Sequence, residues 1–326
     1  MSITGQEGGQ MALIDSERET AERETAEHNT AQRDTAEHAA AARNTAEHGA
    51  PESLKAAAQL DEIAALLAGK RVVILTGAGM STDSGIPDYR GEGAPKRNPM
   101  TFDQFLSSPQ YRQRYWAGSH LGWKLFDSAR PNGGHTILAE MEAKDVLTGV
   151  ITQNVDGLHV RAGSNRVVDL HGSMDRVRCL NCGQMYARVS VADQIDEANP
   201  WMAEPDAVSV NPDGDAEVTN WHDFVVPACT VCGGTLKPDV VFFGEFIPKE
   251  RFGEASDLVR ASDALIIAGS SLVVNSGIRL LEQARRRRLP VVIINRGITK
   301  GDSRATVKLD AGTTQTLTAL AARLLP

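Results

Sequence analysis

Four cysteines fall in two tight pairs, Cys179-Leu-Asn-Cys182 and Cys229-Thr-Val-Cys232, and the 326-residue chain has no others. Two Cys-x-x-Cys turns can grip one tetrahedral ion, and four thiolates make a closed structural Zn²⁺ site with no position left for chemistry. Gly183 and Gly233 follow the second cysteine of each pair, as suits a tight metal-binding turn. Two disulfides, or a redox Cys-x-x-Cys, are the other readings of these residues. Reducing compartments disfavour disulfides, and the start Met1-Ser-Ile-Thr-Gly-Gln lacks the charged-then-apolar layout of a secretory signal.

A second set of chemistry-bearing residues follows short apolar runs. Val-Val-Ile-Leu leads into Thr76-Gly77-Ala78-Gly79, then Met-Ser-Thr-Asp-Ser-Gly85-Ile-Pro-Asp88-Tyr89-Arg90. A glycine turn between a strand and a helix start reads as a phosphate cradle: the backbone approaches closely and free N–H groups face the anion. Alone it is an imperfect Gly-x-Gly-x-x-Gly, and Glu92 comes too early for the acidic ribose ligand of a dehydrogenase. Gln153, Asn154 and Asp156 stand just past a second run, and His171 ends a third, in Asp169-Leu-His-Gly172. A histidine there can serve packing, or can change protonation near neutral pH as a general base must. Gly269-Ser270-Ser271-Leu272 and Asn295-Arg296-Gly297 end two later runs in the same way. Open α/β sheets bind ligands at the carboxyl ends of their parallel strands.

The elements that must position these groups alternate. Strands are expected at 71–76, 146–153, 167–170, 239–243, 264–269 and 291–295, with helices at 53–68, 136–143, 249–261 and 276–288. That order predicts an α/β protein: a doubly wound, parallel, Rossmann-like sheet with a smaller zinc-binding domain inserted. Residues 51–172 and 236–326 form the sheet domain, and 173–235 the zinc module. The aromatic-rich 91–130 stretch is a helical cover over the sheet.

Residues 17–48 repeat a five-residue unit such as Glu-Thr-Ala-Glu-His. Five residues advance about 140° on a helix, so no apolar stripe forms and the 1–50 segment has no face to bury. Its histidines His28, His38 and His48 are too diluted to read as a metal site. Ten acidic side chains against four arginines give it −6 of the chain's net −8. An acid-rich start is unlike a transit peptide. The expectation is a cytoplasmic protein with no membrane span and no nucleic-acid surface, its oligomeric state left open with a monomer favoured. Arg285 to Arg288 read as a solvated helix end, where positive charge is favourable.

Taken in order, these blocks resemble the sirtuins, NAD-dependent protein deacylases. The resemblance rests on Gly77-Ala-Gly-x-Ser-x-x-Ser-Gly-Ile-Pro-Asp-Tyr-Arg90, Thr152-Gln-Asn-Val-Asp-Gly-Leu-His159, His171-Gly, both cysteine pairs, Lys237-Pro-Asp-Val-Val-Phe-Phe-Gly-Glu245 and Gly269-Ser-Ser-Leu, and covers about residues 55–326. Arg112-Gln-Arg-Tyr-Trp-Ala117, Met174-Asp-Arg-Val177 and Asn211-Pro-Asp-Gly-Asp215 look like the class II branch, which includes the mitochondrial sirtuin linked to lipoamidase and ADP-ribosyl transfer.

The resemblance implies NAD as co-substrate, one structural zinc held by the four cysteines, and an acylated protein lysine as substrate. Gly77, Ala78, Gly79, Asp88, Tyr89 and Arg90 would line the pyrophosphate and nicotinamide pockets. Gln153, Asn154 and Asp156 would hold nicotinamide and its ribose. Gly269, Ser270, Ser271, Asn295, Arg296 and Gly297 would bind the adenosine half. His171 would be the general base, with Asn154 beside it in catalysis, and Val240, Val241, Phe242 and Phe243 would pair with the substrate peptide. Mono-ADP-ribosyl transfer at the same site, or non-catalytic NAD-dependent binding, are the rival functions.

Two departures stand out. The cysteine pairs are 46 residues apart, against roughly 15–20 in a simple zinc ribbon; the insertion carries Trp201 and Trp221 and could reach the acyl channel. Sirtuins that remove succinyl or malonyl groups use a Tyr-x-x-Arg pair. Tyr111 and Arg114 match that spacing but read as a decoy, because the family positions fall nearer Trp116 and Ser119. Without an arginine there, the channel is expected to favour a bulky or branched acyl chain.

Overall fold

The computed structural model describes residues 57–88, 99–202, 218 and 220–325. The 1–50 repeat, Tyr89, Arg90 and Asn211-Pro-Asp-Gly lie outside the described residues.

Six strands form one parallel sheet: β1 (Val72–Thr76), β2 (Leu147–Thr152), β3 (Val167–Asp169), β7 (Ala264–Ala268), β8 (Val291–Ile294) and β9 (Val307–Leu309), in the order β3-β2-β1-β7-β8-β9. The central strand β1 is Val-Val-Ile-Leu-Thr with every residue buried. Such continuous apolar runs mark a parallel sheet covered on both faces. Side chains alternate between the faces. Val72 and Ile74 meet Ile63 and Leu67 of α1 (57–67), Leu138 and Met141 of α4 (Gly133–Ala143), and Leu317 and Leu320 of α9 (Thr313–Leu324). Val73 and Leu75 face α7 (Lys249–Ala261) and α8 (Asn275–Arg286), through Leu258, Val259, Leu280 and Leu281. Arg285 to Arg288 are exposed at the end of α8, as expected.

A second sheet, β5-β4-β6, is antiparallel and built from β4 (Gly172–Cys179), β5 (Met185–Ala187) and β6 (Leu236–Val240). This corrects the parallel strand expected over 239–243. The run pairs with β4 as Cys179↔Leu236 through Gly172↔Val240, and then turns at Gly244, whose φ is +82°. Glu245 closes the turn, its N–H donating to the Phe242 carbonyl and its carboxylate accepting from the Phe242 N–H.

The aromatic stretch differs from expectation too. It forms α2 (Phe102–Ser107) and α3 (Pro109–Ser128), with Thr101 and Ser108 as side-chain caps. Phe105, Tyr115, Trp116, Trp123 and Phe126 share a core with Met174, Val177 and Leu236 of the small sheet, and with Val191 and Ile195 of α6 (Arg188–Ala198). The helices therefore wall the second sheet; they do not cover the first. The sequence reading also passed over β9 and α9. The strand is three residues long, and the helix opens on Thr-Thr-Gln-Thr, weak in helix propensity.

Asn132 joins two of these layers. Its Oδ1 caps α4, accepting from the N–H groups of Gly134 and His135 at 2.9 and 3.3 Å, while its Nδ2 donates to Met80 O and Ser84 Oγ at 2.9 and 3.1 Å. Asn132→Ala should lower unfolding free energy by about 1–2 kcal/mol from the cap alone, read as a shifted urea midpoint with an unchanged slope.

Candidate active site

The carboxyl ends of the parallel strands converge beside β1, where the chain runs outward through β2 and β3 on one side and β7, β8 and β9 on the other. The turn after β1 lies against the turn after β7 with no room for side chains. A Cβ on Gly77 would sit 2.7 Å from Gly269 O, and one on Gly269 would sit 2.5 Å from Met80 N. The glycines thus serve close backbone approach. They do not supply the row of free N–H donors expected of a phosphate cradle. Gly77 N–H bonds Ala268 O, Gly79 N–H bonds Gly269 O, and the N–H groups of Met80 and Ser81 close short helical turns onto Gly77 and Ala78.

Past β2, Gln153, Asn154 and Asp156 are held by neighbours. Gln153 Oε1 accepts from Ser270 Oγ at 2.6 Å. Asn154 Nδ2 donates to Gly77 O and Ser81 Oγ at 3.1 and 3.0 Å. Asp156 is 4% exposed, and burial raises its carboxyl above the usual range. Ser81 Oγ donates to one of its oxygens at 2.6 Å and Leu158 N–H to the other at 2.9 Å. Its role in this geometry is to brace the loop.

His171 lies between the two sheets. Nδ1 is 3.0 Å from Gln153 O and Nε2 is 2.9 Å from Ser276 Oγ. A carbonyl only accepts, so the neutral ring donates through Nδ1 and keeps the Nε2 lone pair, toward which Ser276 donates. Burial pulls His171 down to about 4, so it is uncharged and proton-accepting at pH 7. Further out, Gly297 N–H donates to Asp310 Oδ1, Arg296 lies against Gly312, and Asn295 Nδ2 bonds Arg296 O at 2.6 Å. Lys300 N–H donates to Ser271 O. Asp88 is partly buried after Pro87.

At the other end of β4 the four thiols converge, all sulfurs within 4.8 Å of one another. Cys179–Cys232 and Cys182–Cys229 are 3.6 and 3.7 Å apart. A tetrahedron with 2.3 Å metal–sulfur bonds has edges of about 3.8 Å, so the set fits one zinc ion. Gly183 and Gly233 have φ of +77° and +69°, the conformation the tight turns require. Tyr186 OH lies 3.0 Å from Cys229 Sγ and lowers that thiol to about 6.

The sequence matches the Sir2 family over residues 77–276. The NAD-dependent protein deacetylase 1 of Mycobacterium avium (strain 104) is 50% identical over 273 residues, 82% of this chain and 97% of that protein. The mitochondrial NAD-dependent protein lipoamidase sirtuin-4 of Bos taurus is 44% identical over 250 residues, 74% of this chain and 79% of its own. A solved Sir2 chain with a p53 peptide and NAD+ is 32% identical with a TM-score of 0.63, covering 80% of this chain and 96% of that one. The chain belongs to the Sir2 family.

Two residues that position groups in this Sir2 cleft escaped the sequence reading. Ser276, on the first turn of α8, holds His171 Nε2, and Ser81 braces both Asn154 and Asp156. Only their place just after strand-end turns could have flagged them. Tyr111 and Arg114 are exposed on α3, whereas Trp116 and Ser119 are fully buried.

Metal analysis of this Sir2 protein should return one zinc per chain. Cys232→Ser should cost stability before chemistry: the melting temperature falls, while turnover per folded molecule at low temperature changes little. A metal-free preparation with full activity and unchanged melting would contradict the site.

Proposed function

We propose that the protein removes acyl groups from protein lysines with NAD as co-substrate, releasing nicotinamide and O-acyl-ADP-ribose, and that His171 is the base. The observation that carries the assignment of the base is its geometry: a neutral imidazole at a strand end, its tautomer fixed by Gln153 O, its lone pair held by a hydroxyl that substrate can displace. In this reading NAD occupies the cleft beside β1, with Gly77 to Gly79, Asp88, Tyr89 and Arg90 toward pyrophosphate and nicotinamide. Gly269 to Ser271 and Asn295 to Gly297 lie toward adenosine. Asn154 keeps the nicotinamide-ribose end in register, and Asp156 stiffens the loop that carries it.

The chemistry NAD supplies is a C1′ carbon that accepts the acyl oxygen as nicotinamide leaves. His171 Nε2 would accept the proton of a ribose hydroxyl as that oxygen adds to the acyl carbon; with a water consumed in completing the transfer, the lysine would leave as its free amine and the acyl group would end on ADP-ribose. The peptide runs beside Val240–Phe243. Much of that segment's backbone is engaged within the chain: Val241 N–H donates to His171 O at 2.7 Å, and Phe243 O accepts from Phe102 N–H at 2.9 Å. Strand addition here uses few main-chain bonds and tolerates varied sequences. Zinc belongs to the module 173–235 and holds β4 in shape.

His171→Ala should keep NAD binding, by calorimetry, and lose ~10²–10⁴ in deacylation rate. Near wild-type deacylation by this variant would remove His171 from the mechanism. Mass spectrometry of the treated protein separates deacylation from ADP-ribosyl transfer. The folded pKa lies below that of a free histidine, so protonation sets in only as pH falls toward 4. kcat/KM should therefore hold from pH 8 to about 5.5 and not fall near 6.5.

A further inference from the structure

Lys237 lies on β6 and is 4% exposed. Its ammonium donates to Val240 O, three residues ahead, and to Glu245 Oε2 at 2.9 Å, on the far side of the Gly244 turn. It also stands 4.5 Å from the Phe242 ring centre and 5.5 Å from that of Phe102. Burial pulls this amine below its ordinary value, and the Glu245 carboxylate opposes the pull.

The same carboxylate oxygen accepts from the Phe242 N–H at 2.9 Å, and the Glu245 N–H donates to Phe242 O at 3.0 Å. One oxygen thus joins a side-chain cation to a backbone amide. The side chains at the two ends of 237–245 hold the main chain between them. Two further bonds tie that stretch to its surroundings: Val241 N–H donates to His171 O at 2.7 Å, and Phe102 N–H to Phe243 O at 2.9 Å.

Apolar packing could close such a loop without desolvating two ions. A buried ion pair adds little or no stability over well-packed apolar residues of the same volume. What it adds is direction. Apolar burial is non-directional, whereas an ammonium and a carboxylate oxygen must meet at hydrogen-bond distance. The stretch held in this way is the one beside which the peptide runs, and its tip is uncovered, with Phe243 47% exposed. A peptide that meets a segment already in its bound shape loses less freedom on binding.

The cofactor side of the cleft is held by other groups. Gln153 is bonded by Ser270, Asn154 bonds Gly77 O and Ser81, and the His171 ring is oriented by Gln153 O and Ser276. None of these bonds involves Lys237 or Glu245. Loosening the pair should therefore be felt by the peptide and not by NAD or the base.

Resting on the deacylase reading above, we propose that Lys237 and Glu245 are positioning residues for the protein substrate: as a buried ion pair they set the shape of residues 240–245 before the peptide arrives, and so govern its affinity without touching the reacting atoms.

The test uses the full-length protein, NAD and an acetyl-lysine peptide. Lys237→Met should raise the peptide KM by about 10-fold, the loss expected when a side chain or two must be ordered on binding. kcat at saturating peptide and the KM for NAD should stay within about 3-fold of wild type. Glu245→Gln keeps an oxygen for the Phe242 N–H but removes the charge, and should raise the peptide KM as well. If the two act as a pair, the double variant is no worse than the poorer single one; multiplying effects would mean two independent residues and would overturn the proposal. An unchanged peptide KM in Lys237→Met, or a loss shared equally by kcat and the KM for NAD, overturns it too and makes the pair a general support of the fold. Amide hydrogen exchange on the wild-type protein without peptide decides the matter even if no variant folds. The Phe242 amide should exchange at least about 100-fold more slowly than in an unstructured chain; exchange at the unstructured rate shows that the segment is not preset and leaves the deacylase reading standing. No peptide-dependent release of nicotinamide from NAD by wild type would overturn both readings.

Discussion

At Gly172 two backbones run against each other with no space between them. A Cβ there would lie 1.8 Å from Asp239 O, and φ is +87°, so only glycine fits. This contact is where the parallel sheet hands the chain to the antiparallel one. His171 sits one residue before it, and Val241 bonds the His171 carbonyl one residue beyond it. The proposed base and the proposed substrate strand are thus fixed relative to each other by main chain alone. Charges lock the same joint. Arg176 reaches Asp169 and Asp239 at 3.0 and 3.2 Å, and Arg251 reaches Asp239 at 3.0 Å. Two arginines and two carboxylates, partly buried, tie β3, β4, β6 and α7 together.

The cleft inherits its chemistry from that joint. Because Gly172 brings β6 close, His171 is shielded, and shielding keeps the imidazole neutral. Because Gly77, Gly79 and Gly269 bring β1 and β7 equally close, Gln153 and Ser270 meet across the strand ends. Asp156 is desolvated and used as a brace. Serines 81, 270 and 276 supply the hydroxyls that keep each polar side chain in one orientation. A site built this way loses little entropy when it binds, since its side chains are already placed.

The parallel sheet was legible because its strands are continuous apolar runs with glycine or polar residues at their ends; β1, β2, β7 and β8 were all located to within a residue or two. The cysteine cluster was legible because spacing alone constrains it. What escaped had a tertiary cause. Leu236–Val240 reads like a buried parallel strand, but its partner is β4, 57 or more residues away in sequence at Cys179↔Leu236, and local pattern carries no pairing direction. The aromatic α3 was placed over the wrong sheet, since burial says that a face is covered and not by what. Ser276 and Ser81 escaped because a single serine has no spacing signature. Their roles exist only through the groups that folding brings beside them.

The large sheet ends on β3 and β9, each only three residues long. Exposed strand edges invite pairing between molecules, and proteins blunt them by keeping them short or charged. Here β9 is Val-Lys-Leu, and its lysine amine is held by Asn295 O at 2.6 Å. A sheet broad enough to build a nucleotide cleft is thus bounded by edges too brief to template growth from one molecule to the next. Its strand-pairing capacity is spent inward, on the architecture that positions His171.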